Sequence, residues 1–201
     1  MDISRSLVSK SVSSWVPNNS FKEYYEPLTF TATGTLSVRG NGTDCVSIFK
    51  SSGAWDWDAQ AYTSVGFTAP VTLEFNKISG NRDNDLSYAM IGWNTDPTAN
   101  ASYNTLDYAA YPYAETLYEV YHNGSYITPP VRNWSRLNKF YLVYDINGML
   151  YHYNGSTLMY SVNYGAGQTV YVDSSFNRVS AVFGGFTNIR VIKKAWNGIS
   201  Y

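Results

Sequence analysis

Cysteine is all but missing from this chain of 201 residues. Cys45 stands alone, so no intrachain disulfide can form and no zinc site built on several thiolates is available. It lies in the strand-like run Cys45–Phe49 and reads as a small buried apolar filler. Charge is scarce too, at 14% against about 25% in an average soluble domain. Fourteen Lys and Arg nearly balance fifteen Asp and Glu, for a net charge of −1. A nucleic-acid binder needs a basic surplus to neutralise phosphates, and there is none. Ala, Leu, Glu and Lys are too sparse for a long helical protein. No stretch approaches the roughly 18 apolar residues of a membrane-spanning helix. The N-terminus, running from Met1 to Val8, has no basic region followed by an apolar one, so no signal peptide is expected. The chain is expected to be made in the cytoplasm, and to stay there, leave by lysis or leave inside a particle.

What is abundant points one way. Aromatic residues make 17% of the chain and apolar residues 44%, enough for a core and too much for disorder. Tyr, Asn, Ser, Thr and Gly together approach half of the residues, and β-formers dominate. Residues 1–26 differ from the rest. Seven serines fall in the first twenty positions, and Ile3, Leu7, Val8, Val12 and Trp15 recur at roughly helical spacing. This reads as an N-terminal arm, either an attachment segment or a strap across the edge of the domain that occupies residues 27–201.

From Leu28 onward the pattern is β. In Val71–Ile78, Val71, Leu73 and Phe75 share one face and Thr72, Glu74 and Asn76 the other, as in a sheet with one buried face. Leu28–Thr33, Cys45–Phe49, Ser87–Trp93 and Leu117–His122 are further strands. Lys139–Ile146, Met149–Tyr153 and Ser156–Val162 are separated by Asn147-Gly148 and Asn154-Gly155. Asn-Gly tolerates positive φ at both turn positions, so a three-stranded meander is predicted. Thr169–Asp173, Val179–Phe183 and Thr187–Lys193 follow, the last with ambiguous register because Ile189 and Val191 oppose Ile192. Lys50–Thr68 and Asn94–Thr116 read as loops longer than the usual limit of about 12 residues, and such loops are commonly functional. The fold class is all-β: an antiparallel two-sheet β-sandwich or jelly roll of about 11 to 14 strands.

The C-terminal strings Phe140–Asp145, Tyr151–Gly155, Val170–Phe176 and Asn188–Val191 resemble the back half of concanavalin A-like lectin domains, with their SPRY and laminin-G-like branches. Gly53–Tyr62 and Met90–Trp93 resemble lectin-like domains of phage and large-virus fibre proteins. The resemblance spans residues 28–193. It implies a concanavalin A-like jelly roll; the fold hosts sugar binders, peptide binders, glycosidases and scaffolds alike. The calcium/manganese cluster of legume-type members does not map onto this chain.

Candidate chemistry is uneven. The Glu-x-Asp-x-x-Glu strand motif of the β-glucanase branch is absent, and Glu115 and Glu119 on one strand would stand about 13 Å apart at about 3.3 Å per residue. Glycoside hydrolysis wants carboxyls about 5–9.5 Å apart. His122 and His152 sit near Asn-Gly turns with no nucleophile elbow in the sequence, so no catalytic residue is assigned and the chain reads as a non-enzyme. Asn81-Arg-Asp83-Asn-Asp85 begins like a calcium loop, but the sixth and twelfth places hold Leu86 and Gly92 instead of Gly and Glu. Asx turns explain the segment without metal. No cofactor is therefore assigned; Asp83 and Asp85 are the weak candidates for Ca²⁺. Six Asn-x-Ser/Thr sequons are explained in good part by turn chemistry.

Sugar recognition is the chemistry the long loops suit best. A sugar offers an apolar C–H face and fixed hydroxyls, which call for rings beside Asp and Asn. Trp55, Asp56, Trp57 and Asp58 with Tyr62 supply one such set; Trp93, Asn94, Asp96, Tyr103, Asn104, Asp107, Tyr108, Tyr111 and Tyr113 supply the other. Tyr-rich surfaces also suit protein receptors. The leading expectation is a virion-displayed binding module of fibre, tail or capsid. It would recognise a host-surface carbohydrate or receptor protein, join other virion proteins through its arm, and form a homo-oligomer such as the trimers of fibres. Neither nucleic acid nor membrane is an expected partner. The rivals are a decoration protein without ligand and a polysaccharide-degrading enzyme on the same fold.

Overall fold

The structure, a computed structural model, describes residues 25–78, 88–114, 117–127, 134–135, 137–177 and 185–200. Fifteen strands are found among them. In chain order they are β1 (Phe30–Thr33), β2 (Leu36–Arg39), β3 (Val46–Lys50), β4 (Ala59–Thr63), β5 (Phe67–Thr68), β6 (Val71–Ile78), β7 (Ala89–Asn94) and β8 (Tyr108–Ala114). Then come β9 (Leu117–His122), β10 (Ser125–Tyr126), β11 (Phe140–Tyr144), β12 (Met149–Asn154), β13 (Thr157–Asn163), β14 (Thr169–Phe176) and β15 (Gly185–Ile192). They form two antiparallel sheets. The first runs β1-β4-β14-β7-β8-β9-β10, with β5 beside β14; the second runs β13-β12-β11-β6-β15-β3-β2. This is the two-sheet jelly roll read from the sequence. No helix of the described residues is long and apolar enough to cross a membrane.

The inner faces meet in one core. Phe75 stacks on Phe140 at 5.2 Å, and Tyr118 stacks on the same ring at 5.5 Å from the facing sheet. Trp93 is fully buried, and its indole N–H donates to the Leu142 carbonyl at 3.1 Å, a direct tie between the sheets. Beside it His152 is buried, and burial lowers its pKa to about 3, so the ring is neutral at pH 7. Burial pushes the Tyr118 phenol well up. The Tyr118 hydroxyl and His152 Nδ1 share a hydrogen bond of 2.6 Å. Tyr118→Phe keeps the ring and orphans that nitrogen, with an expected loss of about 1–3 kcal/mol. A denaturant midpoint unchanged from wild type would refute the assignment.

The strands follow their sequence with instructive departures. The meander β11-β12-β13 is present, but its turns are not Asn-Gly pairs with two positive φ angles. The first begins at Asp145, whose Oδ1 accepts the N–H groups of Asn147 and Met149, and of the Asn147-Gly148 pair only Gly148 has positive φ. In the second, Asn154 stays in β12, pairing with Thr157, and Gly155 at φ 59° leads the two-residue loop. Among the described residues, both members of an Asn-Gly pair have positive φ only at Asn123-Gly124. The ambiguous register of the last strand is resolved by a bulge, between Phe186 and Ile189 against β3 and between Thr187 and Arg190 against β6, with Asn188 at φ 53°, so Phe186, Ile189 and Val191 all bury inward.

Four expectations need correction. The stretch 50–68 is not one loop: β4 and β5 lie inside it, and the alanines of Ala59-Gln60-Ala61 hide the first half of a strand where branched side chains are usual. The stretch 94–116 likewise contains β8, which places Tyr108, Tyr111 and Tyr113 on a strand. β6 is buried on both faces: Thr72 Oγ1 donates to the Lys194 carbonyl at 2.6 Å in the segment after β15, and the buried Glu74 pairs with the Lys139 ammonium. Cys45 is half-buried, not sealed in the core, with its thiol 3.6 Å from Asn188 Oδ1. The expected strand Val179–Phe183, the weak calcium candidates Asp83 and Asp85, and residues 1–24 of the arm lie outside the described residues. Tyr25 bridges to Ile192 at the end of the interior strand β15, and Glu26 pairs with Lys193 just beyond it at 3.0 Å.

Candidate functional site

The outer face of the first sheet is built from alternate residues of its strands. Register places Tyr62, Asp173, Gly92, Ala109 and Tyr121 in one row across β4, β14, β7, β8 and β9. Two segments lie over this face, 51–58 and 95–107. Each is held by buried polar side chains where a strand would ordinarily present apolar ones.

Lys50 holds the first segment. Its side chain is fully buried, and its ammonium donates to the carbonyls of Ala54 (2.8 Å), Asp56 (2.9 Å) and Asn177 (3.0 Å) and to the Asp58 carboxylate. The second segment rests on three strand residues. Gln60 donates to the Pro97 carbonyl, Ser175 donates to the Ala101 carbonyl at 2.6 Å, and Asn94 Oδ1 accepts the Asp96 N–H at 3.2 Å. Asp173 sits beneath them, fully buried. It accepts from Asn94 Nδ2 at 2.8 Å, from Gln60 Nε2 at 3.2 Å and from the Ser174 N–H at 2.7 Å. Burial pushes its pKa up to about 7, while these three donors pull the other way. Asp107 ties both ends of the segment: it accepts from Thr95 N–H at 2.8 Å, from Thr95 Oγ1 at 2.7 Å and from the Tyr164 hydroxyl.

These anchors set out two features. One is a closed ring of aromatic contacts. Trp57 meets Tyr103 at 4.9 Å and Tyr111 at 6.0 Å, and Tyr121 meets both tyrosines at 5.7 Å. The four rings pack with Met90, Leu106 and Ala109 as a small second core. The other feature is a recess of about 300 Å³ lined by Tyr62, Ser64, Thr95, Asp96, Thr98 and Tyr171, together with Thr63 and Pro97. Tyr62 and Tyr171 are half-buried, and Thr95, Asp96 and Thr98 are exposed. Thr63 and Pro97 are its buried lining residues, and the buried Gln60–Asp173–Asn94 network holds Asp96 and Pro97, so the loop that forms one wall is fixed before any ligand arrives.

The expected site residues divide accordingly. Asp96 lines the recess. Trp57, Tyr103 and Tyr111 form the aromatic ring, and Asn94 and Asp107 hold the loop. Tyr108 is buried and stacks on His122 at 4.4 Å. Asp56 caps the Trp57 N–H at 2.8 Å, Asp58 pairs with Lys50, and Trp55 is exposed at 67%. Trp93 belongs to the inter-sheet core. The Tyr113 side chain and Glu115 lie outside the described residues. Tyr171 was not among the expected residues. Its signal was the alternation Tyr171, Asp173, Ser175 on a strand whose other face is Val170, Val172, Ser174 and Phe176. No group of three or more His, Cys, Asp and Glu side chains that could hold a metal stands among the described residues.

No protein-family model matches the sequence, and no curated protein matches it either. Solved structures match by shape. The SPRY domain of human HERC1 aligns with a TM-score of 0.51 at 14% identity, over 84% of this chain and 95% of that one. The exoplasmic/lumenal domain of VIP36, in a Ca²⁺/Man3GlcNAc-bound form, aligns at 0.53 and 9% identity, over 87% and 92%. β-Agarase A in complex with oligoagarose aligns at 0.50 and 14% identity, over 76% and 74%. The fold is the concanavalin A-like sandwich.

Proposed function

We propose that this chain is a carbohydrate-recognition module, with the recess between Tyr62, Tyr171 and the 95–98 wall as its site. One observation carries the reading: two half-buried tyrosine rings, one exposed carboxylate and four Ser and Thr hydroxyls surround a single recess whose 95–98 wall is held in place beforehand. Its volume of about 300 Å³ is at the lower end of small-ligand sites, about 300–1,000 Å³. The rings offer faces for sugar C–H groups, and Asp96 with the threonines offers partners for hydroxyls. No Lys or Arg lines the recess, which disfavours anionic ligands and favours neutral saccharides. Among solved structures of the same fold, VIP36 is seen with a mannose-containing glycan and β-agarase A with oligoagarose.

A binding role is favoured over a hydrolytic one because Asp173 is covered: its oxygens are occupied by Asn94, Gln60 and Ser174, and no water-exposed surface remains on it. Display on a virion fibre, tail or capsid is the setting we propose, supported by the fibre-protein resemblance of Gly53–Tyr62 and by the low-charge, Tyr- and Asn-rich composition; the arm would then be the attachment segment.

Titration with galactan, glucan and mannan tetrasaccharides tests the site. Tyr171→Ala and Tyr62→Ala are each expected to weaken binding about tenfold or more, the loss of about 1.4 kcal/mol typical of a central contact ring. Unchanged affinity in both variants would refute the site, and release of new reducing ends by wild type would favour the enzyme instead.

A further inference from the structure

The opposite face of the sandwich carries a second recess that the reading above leaves unused. It measures about 310 Å³ and is lined by Val143, Asp145, Tyr151, Tyr153, Trp196 and Asn197, with Ala195. Tyr151 and Tyr153 project from β12 two residues apart and so share the outer face of the second sheet. Both are half-buried, and their rings lie 6.3 Å apart at 32°. Val143, paired with Tyr151 across β11 and β12, is buried and forms the floor. The third ring comes from the segment after β15. Trp196 stacks on Tyr141 at 4.4 Å and 18°, and its backbone N–H donates to Thr72 Oγ1 at 3.1 Å. That pin explains why Thr72 is buried on a nominally outer face.

The polar groups are arranged for hydroxyls. Asp145 Oδ1 is consumed by the turn, but the described contact of Oδ2 is only a long 3.5 Å bond from the Tyr151 hydroxyl. Burial first, and then the neighbouring Asp145 carboxylate, raise the Tyr151 pKa, so its phenol stays protonated. Asn197 Oδ1 accepts the N–H groups of Ile199 and Ser200 at 2.9 Å, which fixes the amide beside the recess. A wholly apolar ligand would bury Asp145 Oδ2 without a partner. An anion would meet a carboxylate and no lining cation. A neutral saccharide satisfies rings and oxygens together.

We propose that this recess is a second, independent site for a neutral saccharide, so that one chain holds two sugars on opposite faces. The sheets of a sandwich lie about 10 Å apart, and the two recesses open away from each other. The same sugar residue cannot occupy both, and the two sites can join two separate glycan chains. The proposal shares the saccharide chemistry of the first site but rests on its own residues.

Titration of the full chain with the same tetrasaccharides, scored as sugars bound per chain, tests it. Wild type is expected to bind two. Tyr171→Ala should leave one, and Tyr153→Ala should leave the other, with affinity at the remaining site within about twofold, as for sites too far apart to couple. Asp145→Asn keeps the turn acceptor and removes the charge, and should weaken only the second site. One sugar per chain, lost with Tyr171→Ala and untouched by Tyr153→Ala, overturns this proposal and leaves the first site standing. One sugar lost only with Tyr153→Ala overturns the first site and supports this one. No binding of any tetrasaccharide overturns both. Displacement at this site by choline but not by sugars would reassign it to an ammonium ligand and also overturn the proposal.

Discussion

Lys50→Met is expected to cost about 3 kcal/mol, because it retains the stem and removes an ammonium on which four acceptors converge. Three of these are the carbonyls of Ala54, Asp56 and Asn177, and the fourth is the Asp58 carboxylate. The exposed side of Asp58 softens the penalty, since its side chain keeps 47% of its surface and can be rehydrated. The carbonyls can be rehydrated only if the segment 51–58 moves. That motion carries Trp57 away from Tyr103 and Tyr111, so Trp fluorescence should change under native conditions as well as at the unfolding midpoint. Lys50→Arg is no substitute, because a planar fork cannot reproduce a point donor inside a closed cage. A Lys50→Met variant within about 0.5 kcal/mol of wild type, the range of ordinary surface changes, would show that the cage does not hold the segment.

The second large effect is on pH dependence. Asp173 has a pKa of about 7 in the folded chain against 3.8 for the free side chain, so between those values the folded state holds the extra proton. Stability then falls as pH rises from about 4 to about 7, by an amount on the order of 4 kcal/mol over the full span. His152 works in the opposite sense. Its folded pKa of about 3 lies below the usual 6.5, so the unfolded state binds the extra proton and stability rises with pH across that window. The two cancel over about pH 4 to 6.5, and the wild-type profile there should be nearly flat. Lys77, lowered by burial to about 7 from 10.5, acts only above that range, where it adds stability with rising pH. Asp173→Asn removes the falling arm. Its stability relative to wild type should therefore climb by about 3 kcal/mol between pH 4.5 and 6.5, whatever its offset at either end. Parallel profiles for the two proteins would mean that Asp173 is ionised throughout, held so by its three donors.

Much of the fold was legible from alternation alone. β6 and β9 were read with their boundaries unchanged, and the β11-β12-β13 meander announced itself through Gly148 and Gly155, though not through the turn geometry first assigned. What escaped was of one kind. β4 has alanines where strands usually carry branched residues, and β8 has Pro112, a residue that normally argues against a strand interior. Both stand in the sheet whose outer face is roofed by the chain's own loops, so the alternation of wet and dry that periodicity relies on is erased there. The site was legible in composition and blurred in detail. Asp96 and Tyr62 could be picked from their loop neighbourhood. Tyr171 could not, because its partners across the recess, from Tyr62–Ser64 and Thr95–Thr98, come from distant stretches of the chain. Trp93 looks like a loop-mouth residue in sequence because it precedes Asn94-Thr95, yet strand parity turns it inward.

The circuit of Trp57, Tyr103, Tyr111 and Tyr121 has a consequence for how this protein could be diversified. Each ring leans on two of the others, and the four come from two different crossing segments and two neighbouring strands. Swapping one segment for a foreign version would take from the other one of its two ring contacts and leave it only the contact to a strand. New specificities should therefore arise, in a library or in a lineage, when both segments are exchanged as a matched pair, and single-segment grafts should mostly yield less stable product.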